Sequence, residues 1–403
     1  MPETTDHHYL IIGGGMVADA AARGIRELDA DGDIGIIALE EDAPVTRPAL
    51  TKKLWTDPDF GFDQVWLNTE QDTAAIRHPG EQAEELDPDR HTVRTSSGAH
   101  YRYQRLLLAT GGTPKRVDMP DDERIVFFRS VDDYRRLRAL SGRGRSIAVI
   151  GGSFIGTELA AALAQNDTET TLVFPEDVLG ASVFPPSLAE RFQRLFADAG
   201  VRMRAGTKIT HGTADAATVT LYPEHGDGFD VDAAVFGLGI EPNVDLARDA
   251  SLKVDDGVVV DDRLRTDHEH IWAAGDIASY PDRVLGRTRV EHVDNARAMG
   301  TQAGRNMAGA DESYAHTPYF YSVVFGNRYE AVGTLDATLQ TVVDADETGE
   351  TMVVYYLQDD RVVGVLLWNV VGQRDAARAT IAEASAADPA SLRGRIPLTR
   401  PNE

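Results

Sequence analysis

The sequence predicts an α/β protein in which two domains, each built on a βαβ unit, are joined by a C-terminal α+β domain. Three observations carry that expectation. Tyr9 to Ala22 is an apolar strand running into Gly13-Gly14-Gly15 and then into an alanine-rich helix. Ser146 to Glu158 repeats the arrangement, and from Tyr314 the composition shifts to Tyr, Phe and Val with turn residues between apolar runs. At 403 residues the chain is long enough for two or three cores.

In the first unit Gly13 allows the tight turn, Gly15 lets backbone approach a pyrophosphate, and Ala18 keeps the helix close to the strand. The helix N-terminus offers the phosphates unpaired N–H groups and the positive end of its dipole. The second strand, Ile34 to Leu39, ends in Glu40, an acid suited to ribose hydroxyls and hostile to a 2′-phosphate. A lone glycine-rich turn also occurs for structural reasons. Here strand, helix, second strand and acid agree, so the unit reads as a Rossmann-like dinucleotide site. Its recurrence at Ile150-Gly151-Gly152-Ser153, with the following strand Thr170 to Phe174 ending at Pro175-Glu176, implies two dinucleotides. A flavin fed by a nicotinamide is the economical reading.

Between these units, Glu41 to Leu54 leaves through Pro44, Arg47 and Pro48 and carries Thr51, Lys52 and Lys53 into a helix. Residues 56–79 read as loop and short strands. Strands are expected at Glu81 to Leu86, His91 to Thr95, Ala99 to Tyr103 and Arg105 to Leu108, the last ending in Thr110-Gly111-Gly112. Ser130 suits a helix N-cap, with Asp132 and Asp133 in the first turn. An amphipathic helix, Leu188 to Ala199, is closed by Gly200, and Glu241-Pro242-Asn243 marks the exit from the second domain. Val258 to Asp262 and Ile271 to Ala278 read as strands, the second holding a third glycine-and-acid turn at Gly275-Asp276, and Glu291 to Met307 reads as a helix. The C-terminal part is an antiparallel sheet closed by a helix from Gln373 to Ala386; residues 388–403 carry no periodicity and read as a flexible tail.

The net charge of −25 argues against nucleic acid or anionic lipid as a partner. Its basic residues are almost all Arg, with lysine only at 52, 53, 115, 208 and 253, as in salt-adapted or GC-biased sequences. No cysteine is present, so a disulfide, a thiolate metal site, an iron–sulfur cluster and a redox-active thiol pair are excluded. Electrons must then pass through a bound cofactor. No metal site and no hydrolytic triad is suggested by the spacing of His, Asp, Glu and Ser. The polar start, Met1 to His8, and the shortness of the apolar run around Val362 to Val371 predict a cytoplasmic chain with no membrane span. A homodimer stays open.

The order of motifs resembles the flavin-dependent pyridine nucleotide oxidoreductases, in the branch holding NADH-dependent ferredoxin and rubredoxin reductases and apoptosis-inducing factor. The carrying runs are Arg47-Pro48-Ala49-Leu50-Thr51-Lys52, Ala109-Thr110-Gly111-Gly112-Thr113-Pro114, Phe174-Pro175-Glu176, Gly239-Ile240-Glu241-Pro242-Asn243, Trp272-Ala273-Ala274-Gly275-Asp276, Arg289-Val290-Glu291-His292 and Leu367-Trp368-Asn369. Phe-Pro-Glu and Val-Glu-His are nearer to apoptosis-inducing factor. The resemblance implies a glutathione-reductase-like arrangement: an FAD domain split into 1–117 and 243–313 by an inserted NADH domain, 118–242, and a C-terminal α+β domain, 314–387. It implies that FAD is held by Gly13, Gly15, Ala18, Glu40, Arg47, Lys52, Ala83, Arg129 and Asp276. NADH would lie over Gly152, Ser153, Phe154, Ile155 and Glu158, with Glu176 on the adenosine ribose and Gly239, Glu291 and His292 towards the nicotinamide. Gly14, Met16, Val17, Glu41, Thr110, Gly111, Gly275, Val293 and Asn369 complete the cofactor-binding set. Departures are Ser153 at the usual second glycine, Val293 where ferredoxin reductases often carry Trp, and Tyr321 where a Trp is common.

Hydride transfer needs the nicotinamide held against the flavin, so the protein's task is positioning and electrostatics. Phe154 and Glu158 are four apart on one helix and share a face that begins at the phosphate-binding turn. Alone, the residues leave Lys52 a solvated helix position and Glu158 an exposed one; with the resemblance, they are the expected catalytic pair beside the flavin N5. His292 reads as a ring contact or as a helix cap. Three functions follow: an NADH-dependent FAD oxidoreductase passing electrons to a carrier such as ferredoxin or rubredoxin; an apoptosis-inducing-factor-like protein whose long-lived NADH-reduced complex governs a partner; and an NADH oxidase or quinone reductase.

Overall fold

Residues Tyr9 to Ile12 and Ile34 to Ala38 are continuous apolar runs, which suit strands buried on both faces. In the computed structural model, which describes residues 4–383 and 388–400, they lie in the centre of a parallel sheet. Chain contacts divide the protein into two units: Met1–Arg47, Asp63–Thr113 and Glu241–Pro318 form one, and Pro48–Phe62, Pro114–Ile240 and Tyr319–Glu403 the other.

In the first unit the strand order is Ile76–Pro79, Ile34–Ala38, Thr4–Ile12 and His100–Leu108, all parallel, with Ile271–Ala273 also pairing with His100–Leu108. A hairpin of Ala83–Asp87 and Thr92–Thr95 adds antiparallel strands to His100–Leu108. The helix Met16–Arg26 packs on the helix Val293–Met307. Glycine makes this possible: a Cβ on Gly300 would lie 2.7 Å from Val17 O, and one on Gly304 would lie 2.1 Å from Ala21 O.

The second unit holds a five-stranded parallel sheet in the order Arg202–Arg204, Glu169–Val173, Ser146–Ile150, Ala233–Phe236 and Ile125–Phe127. It also holds a five-stranded antiparallel sheet in the order Tyr319–Val324, Asn327–Gly333, Arg361–Trp368, Met352–Gln358 and Gln340–Ala345. Ser130 caps the helix Val131–Leu140, and Asp133 returns the bond in a capping box.

Several expectations are corrected. Ala99 to Tyr103 and Arg105 to Leu108 are one strand, because Gln104 continues the alternation and pairing with Thr4–Ile12 runs through it. Residues 56–79 contain helical turns at Phe62–Val65 and Thr69–Thr73 besides the strand Ile76–Pro79. The second of these is held by Thr69, whose hydroxyl donates to the buried Asp19. The strand expected to run from Val258 to Asp262 is only Val258–Val259, and the one expected from Ile271 to Ala278 ends at Ala273, where Gly275–Ile277 turns helical. The helix expected from Glu291 starts at Val293. The closing helix spans Arg374–Ala382, and residues 384–386 of its expected range lie outside the described residues. Within the expected tail, Pro389–Leu392 is a helical turn capped by Asp388, and Leu392 and Ile396 are buried in the core of the antiparallel sheet. Two anchors four residues apart are too few to register as a period. Residues 401–403 lie outside the described residues.

Candidate functional site

In the first unit the strand Thr4–Ile12 delivers Gly13 at φ +121°, where an added Cβ would fall 2.1 Å from Ala109 O. Only glycine fits there. Gly15 begins the helix Met16–Arg26 with no side-chain cap, and a Cβ on it would meet nothing nearer than the Arg47 guanidinium at 4.0 Å. The first-turn N–H groups therefore have no side-chain cap and begin beside a cation, as an anion site requires. Arg47 Nη2 in turn donates to Glu40 Oε1 at 2.5 Å, so the ribose-type acid and the cation meet at this turn. Gly14 sits against Ala38, and Met16, Val17 and Ala18 are buried. Gly275 packs on Val17, where a Cβ would be 2.5 Å from Val17 Cγ2, and this places Asp276 at the start of the short helix Gly275–Ile277.

Other expected residues have visible structural duties. Glu41 lines a cavity of 340 Å³ with Asp42, Ala43, Trp66, Asn68 and Gln71. Ala83 begins a hairpin strand. Thr110 Oγ1 donates to Asn243 O at 2.7 Å, and Gly111 O accepts from Asn243 N at 2.9 Å. His292 is the N-cap of Val293–Met307, its Nδ1 accepting from Asp294 N at 3.2 Å, and Glu291 Oε1 takes Arg289 Nη1 at 2.6 Å.

In the second unit Gly151 has φ +119°, and a Cβ on Gly156 would lie 1.9 Å from Gly151 O. Gly152 is backed by Phe174 and Leu179. Ser153 begins the helix Phe154–Ala164, yet its hydroxyl donates to Gly237 O at 3.2 Å instead of capping the helix. These first-turn donors likewise have no side-chain cap. Phe154 and Ile155 are the exposed apolar residues of this turn, at 37% and 38%. Phe154 is stacked 6.3 Å from Phe320 and 6.0 Å from Tyr329. Glu176 follows the strand Glu169–Val173, with Ser182 Oγ 3.5 Å from its Oε1. Gly239 has φ +83° and open space around its Cβ position.

Lys52, Arg129 and Asn369 also belong to this unit. Arg129 N donates to Asp133 Oδ2 at 2.9 Å. Asn369 is tied to the sheet, its Oδ1 accepting from Arg328 N at 2.9 Å and its Nδ2 donating to Asn327 Oδ1 and Glu350 O. Lys52 and Glu158 come together: Lys52 Nζ lies 2.6 Å from Glu158 Oε2. Glu158 is 3% exposed, so the solvated alternative is removed. Thr51 Oγ1 donates to Glu158 Oε2 at 2.6 Å, and Ser322 Oγ donates to Oε1 at 2.7 Å. Sequence reasoning missed both hydroxyls as site residues. Thr51 had a signal in its place beside Lys52; Ser322, 164 residues from Glu158, had none.

Both turns fit dinucleotides: a bare helix N-terminus, a close glycine approach, and an acid after the second strand. In the first unit FAD would be held by Gly13 to Ala18, Glu40, Arg47 and Asp276. Among the described residues no cluster of His, Asp and Glu could hold a metal ion, and no helix is long and apolar enough to cross a membrane.

The sequence profile of the pyridine nucleotide-disulphide oxidoreductases matches residues 7–300, and that of the apoptosis-inducing factor, mitochondrion-associated, C-terminal region matches residues 343–383. The chain is 32% identical over 393 residues to the ferredoxin–NAD(+) reductase component of the anthranilate 1,2-dioxygenase system of Burkholderia cepacia, covering 95% of this chain and 96% of that protein. It is 33% identical over 413 residues to apoptosis-inducing factor 1, mitochondrial, of Dictyostelium discoideum, covering 92% and 77%. Among solved structures, the reductase of the covalent putidaredoxin reductase–putidaredoxin complex superposes with a TM-score of 0.86 at 25% identity, covering 96% of both chains. The chain belongs to the pyridine nucleotide-disulphide oxidoreductase family and is an FAD-dependent NAD(P)H oxidoreductase.

Proposed function

We propose that this protein takes a hydride from NADH onto FAD and passes the electrons to a carrier protein such as ferredoxin or rubredoxin. Bound FAD would supply the acceptor for the hydride, a proton with two electrons, and the means of passing those electrons on one at a time. The observation that carries the reading is the ion pair between Lys52 and the buried Glu158, which stands on the helix that begins at the second dinucleotide turn, in a chain with no cysteine. A thiol relay cannot be built, so the electrons need an external acceptor. The reductase component from Burkholderia cepacia, alike over nearly its whole length, supports a carrier in that role.

Within this reading the bare N–H groups at Phe154 and Ile155 bind the NADH pyrophosphate, and the exposed Phe154 ring shields the nicotinamide from water. Glu176 bonds the adenosine ribose and repels a 2′-phosphate, which gives the preference for NADH. Lys52, held by Glu158, supplies positive charge where negative charge grows during hydride transfer. The test is turnover of the FAD-loaded enzyme with NADH and a ferredoxin or rubredoxin, against NADH alone in air. Fast carrier reduction is expected; rapid oxygen consumption without a carrier would instead mark an oxidase.

The match of residues 343–383 to the apoptosis-inducing factor C-terminal region favours a second reading. In that case NADH yields a persistent long-wavelength absorbance that added carrier does not discharge.

A further inference from the structure

The Glu158 carboxylate is more tightly held than an ion pair needs. Oε2 receives Lys52 Nζ and Thr51 Oγ1, each at 2.6 Å, while Oε1 receives Ser322 Oγ at 2.7 Å. Thr51, Glu158 and Ser322 are all buried, so water does not replace a missing donor. Because Thr51 and Lys52 are consecutive, one carboxylate oxygen grips the lysine by its ammonium and by the neighbouring side chain. Ser322 holds the other oxygen from the strand Tyr319–Val324, where it stands opposite Tyr329. Burial, and then the Glu158 charge, push the Tyr329 phenol far up, and a Ser322 hydrogen bond works against them. Tyr329 thus stays neutral and the serine hydroxyl joins it to the carboxylate. Lys52 Nζ also lies 5.2 Å from the centre of the Tyr321 ring, one residue before Ser322.

We propose that Thr51 and Ser322 are positioning residues for the hydride step, acting through Glu158 to fix Lys52; the proposal rests on the NADH-to-FAD reading above. Neither hydroxyl exchanges a proton. Each removes a rotation of the carboxylate that would let the ammonium drift, and a displacement on the scale of 1 Å is costly in a preorganised charge site.

The test uses the FAD-loaded protein in anaerobic stopped-flow, reading the limiting rate of flavin bleaching, the apparent Kd for NADH and the flavin midpoint potential. Ser322→Ala is expected to lower the limiting rate about ten-fold and to move the potential to more negative values, with Kd changed by less than about two-fold. Thr51→Val, which keeps the side-chain shape, is expected to do the same and supplies the test if Ser322→Ala does not fold. Ser322→Thr and Thr51→Ser, which keep the hydroxyl, should restore the rate. In a Glu158→Ala background Ser322→Ala should add less than about two-fold, since residues acting through one group share their effect. Unchanged rate and potential in both hydroxyl-deleting variants, with only a lower Tm, would overturn the proposal, as would a full ten-fold loss in the Glu158→Ala background. A wild-type flavin that NADH does not bleach would overturn the functional reading itself.

Discussion

Glu158 shows how one side chain changes meaning with its surroundings: on a helix written Phe-Ile-Gly-Thr-Glu it is a polar residue like any other, and in the fold it is a buried anion with an ammonium and two hydroxyls on it. Removing Lys52 leaves that anion beside growing negative charge, whereas removing Glu158 leaves the ammonium in place but loose. Lys52→Ala should therefore slow flavin reduction by NADH more than Glu158→Ala, and the double variant should lose less than the sum in stopped-flow traces. Glu176 is open to a separate test, because its unit does not contain the Gly13–Gly15 turn. Glu176→Ala is expected to bring kcat/KM for NADPH towards that for NADH while FAD content, read from the visible spectrum, stays constant. At this scale the sequence was most legible where backbone dictates residue type: Gly13 and Gly151 are fixed by contacts that any Cβ would break. Lys52 and Glu158 were reached through motif resemblance. Ser322 was not reached, since nothing local distinguishes an inward serine on an edge strand.

The helices Met16–Arg26 and Val293–Met307 form the element on which the first dinucleotide turn depends, since the turn is the N-terminal end of one of them. Gly304→Ala forces a Cβ against the Ala21 backbone, so it should cost about 1–3 kcal/mol, read as a lower Tm, and weaken FAD retention on dilution. The antiparallel sheet has its own buried charge in Glu330, which Arg328 and Arg374 each approach at 2.6 Å. Burial pushes this carboxyl up, but the hydrogen bonds from Arg374 and then Arg328 outweigh it and hold the group below the usual glutamate value of 4.5. A depressed folded value makes the contribution fully present above 4.5 and lost as pH falls through the lower folded value. Glu330→Gln should flatten the loss of Tm between about pH 5 and about pH 3, compared with wild type. Elements with a long period, such as Pro186–Asp198, or a clear turn, such as Gly349 between two sheet strands, were read from the sequence with small errors. The single turn Thr69–Thr73 was not, because a tertiary bond to Asp19 holds it in place of local propensity.

Across the whole chain the dominant property is the excess of 65 acidic over 40 basic residues. Self-repulsion on that scale weakens the folded state at low ionic strength, so raising salt from about 0.1 M to about 1 M, which shortens screening from ~10 Å to ~3 Å, should raise Tm. The order of motifs made the family legible, since seven short runs in one sequence order are hard to match otherwise. How the segments group was not legible: residues 48–62 join 114–240 and 319–403 in one unit, and local patterns carry no record of which distant surfaces pack together. The central claim, that NADH reduces FAD here and a carrier protein discharges it, is tested most directly by two-step anaerobic mixing. FAD-loaded protein is mixed with one equivalent of NADH and then with oxidised ferredoxin or rubredoxin, while flavin absorbance is followed. The account predicts rapid bleaching in the first step and recovery at the rate of carrier reduction in the second, with NADPH markedly slower. A flavin left oxidised by NADH, or one bleached into a long-wavelength species that the carrier does not discharge, would contradict it.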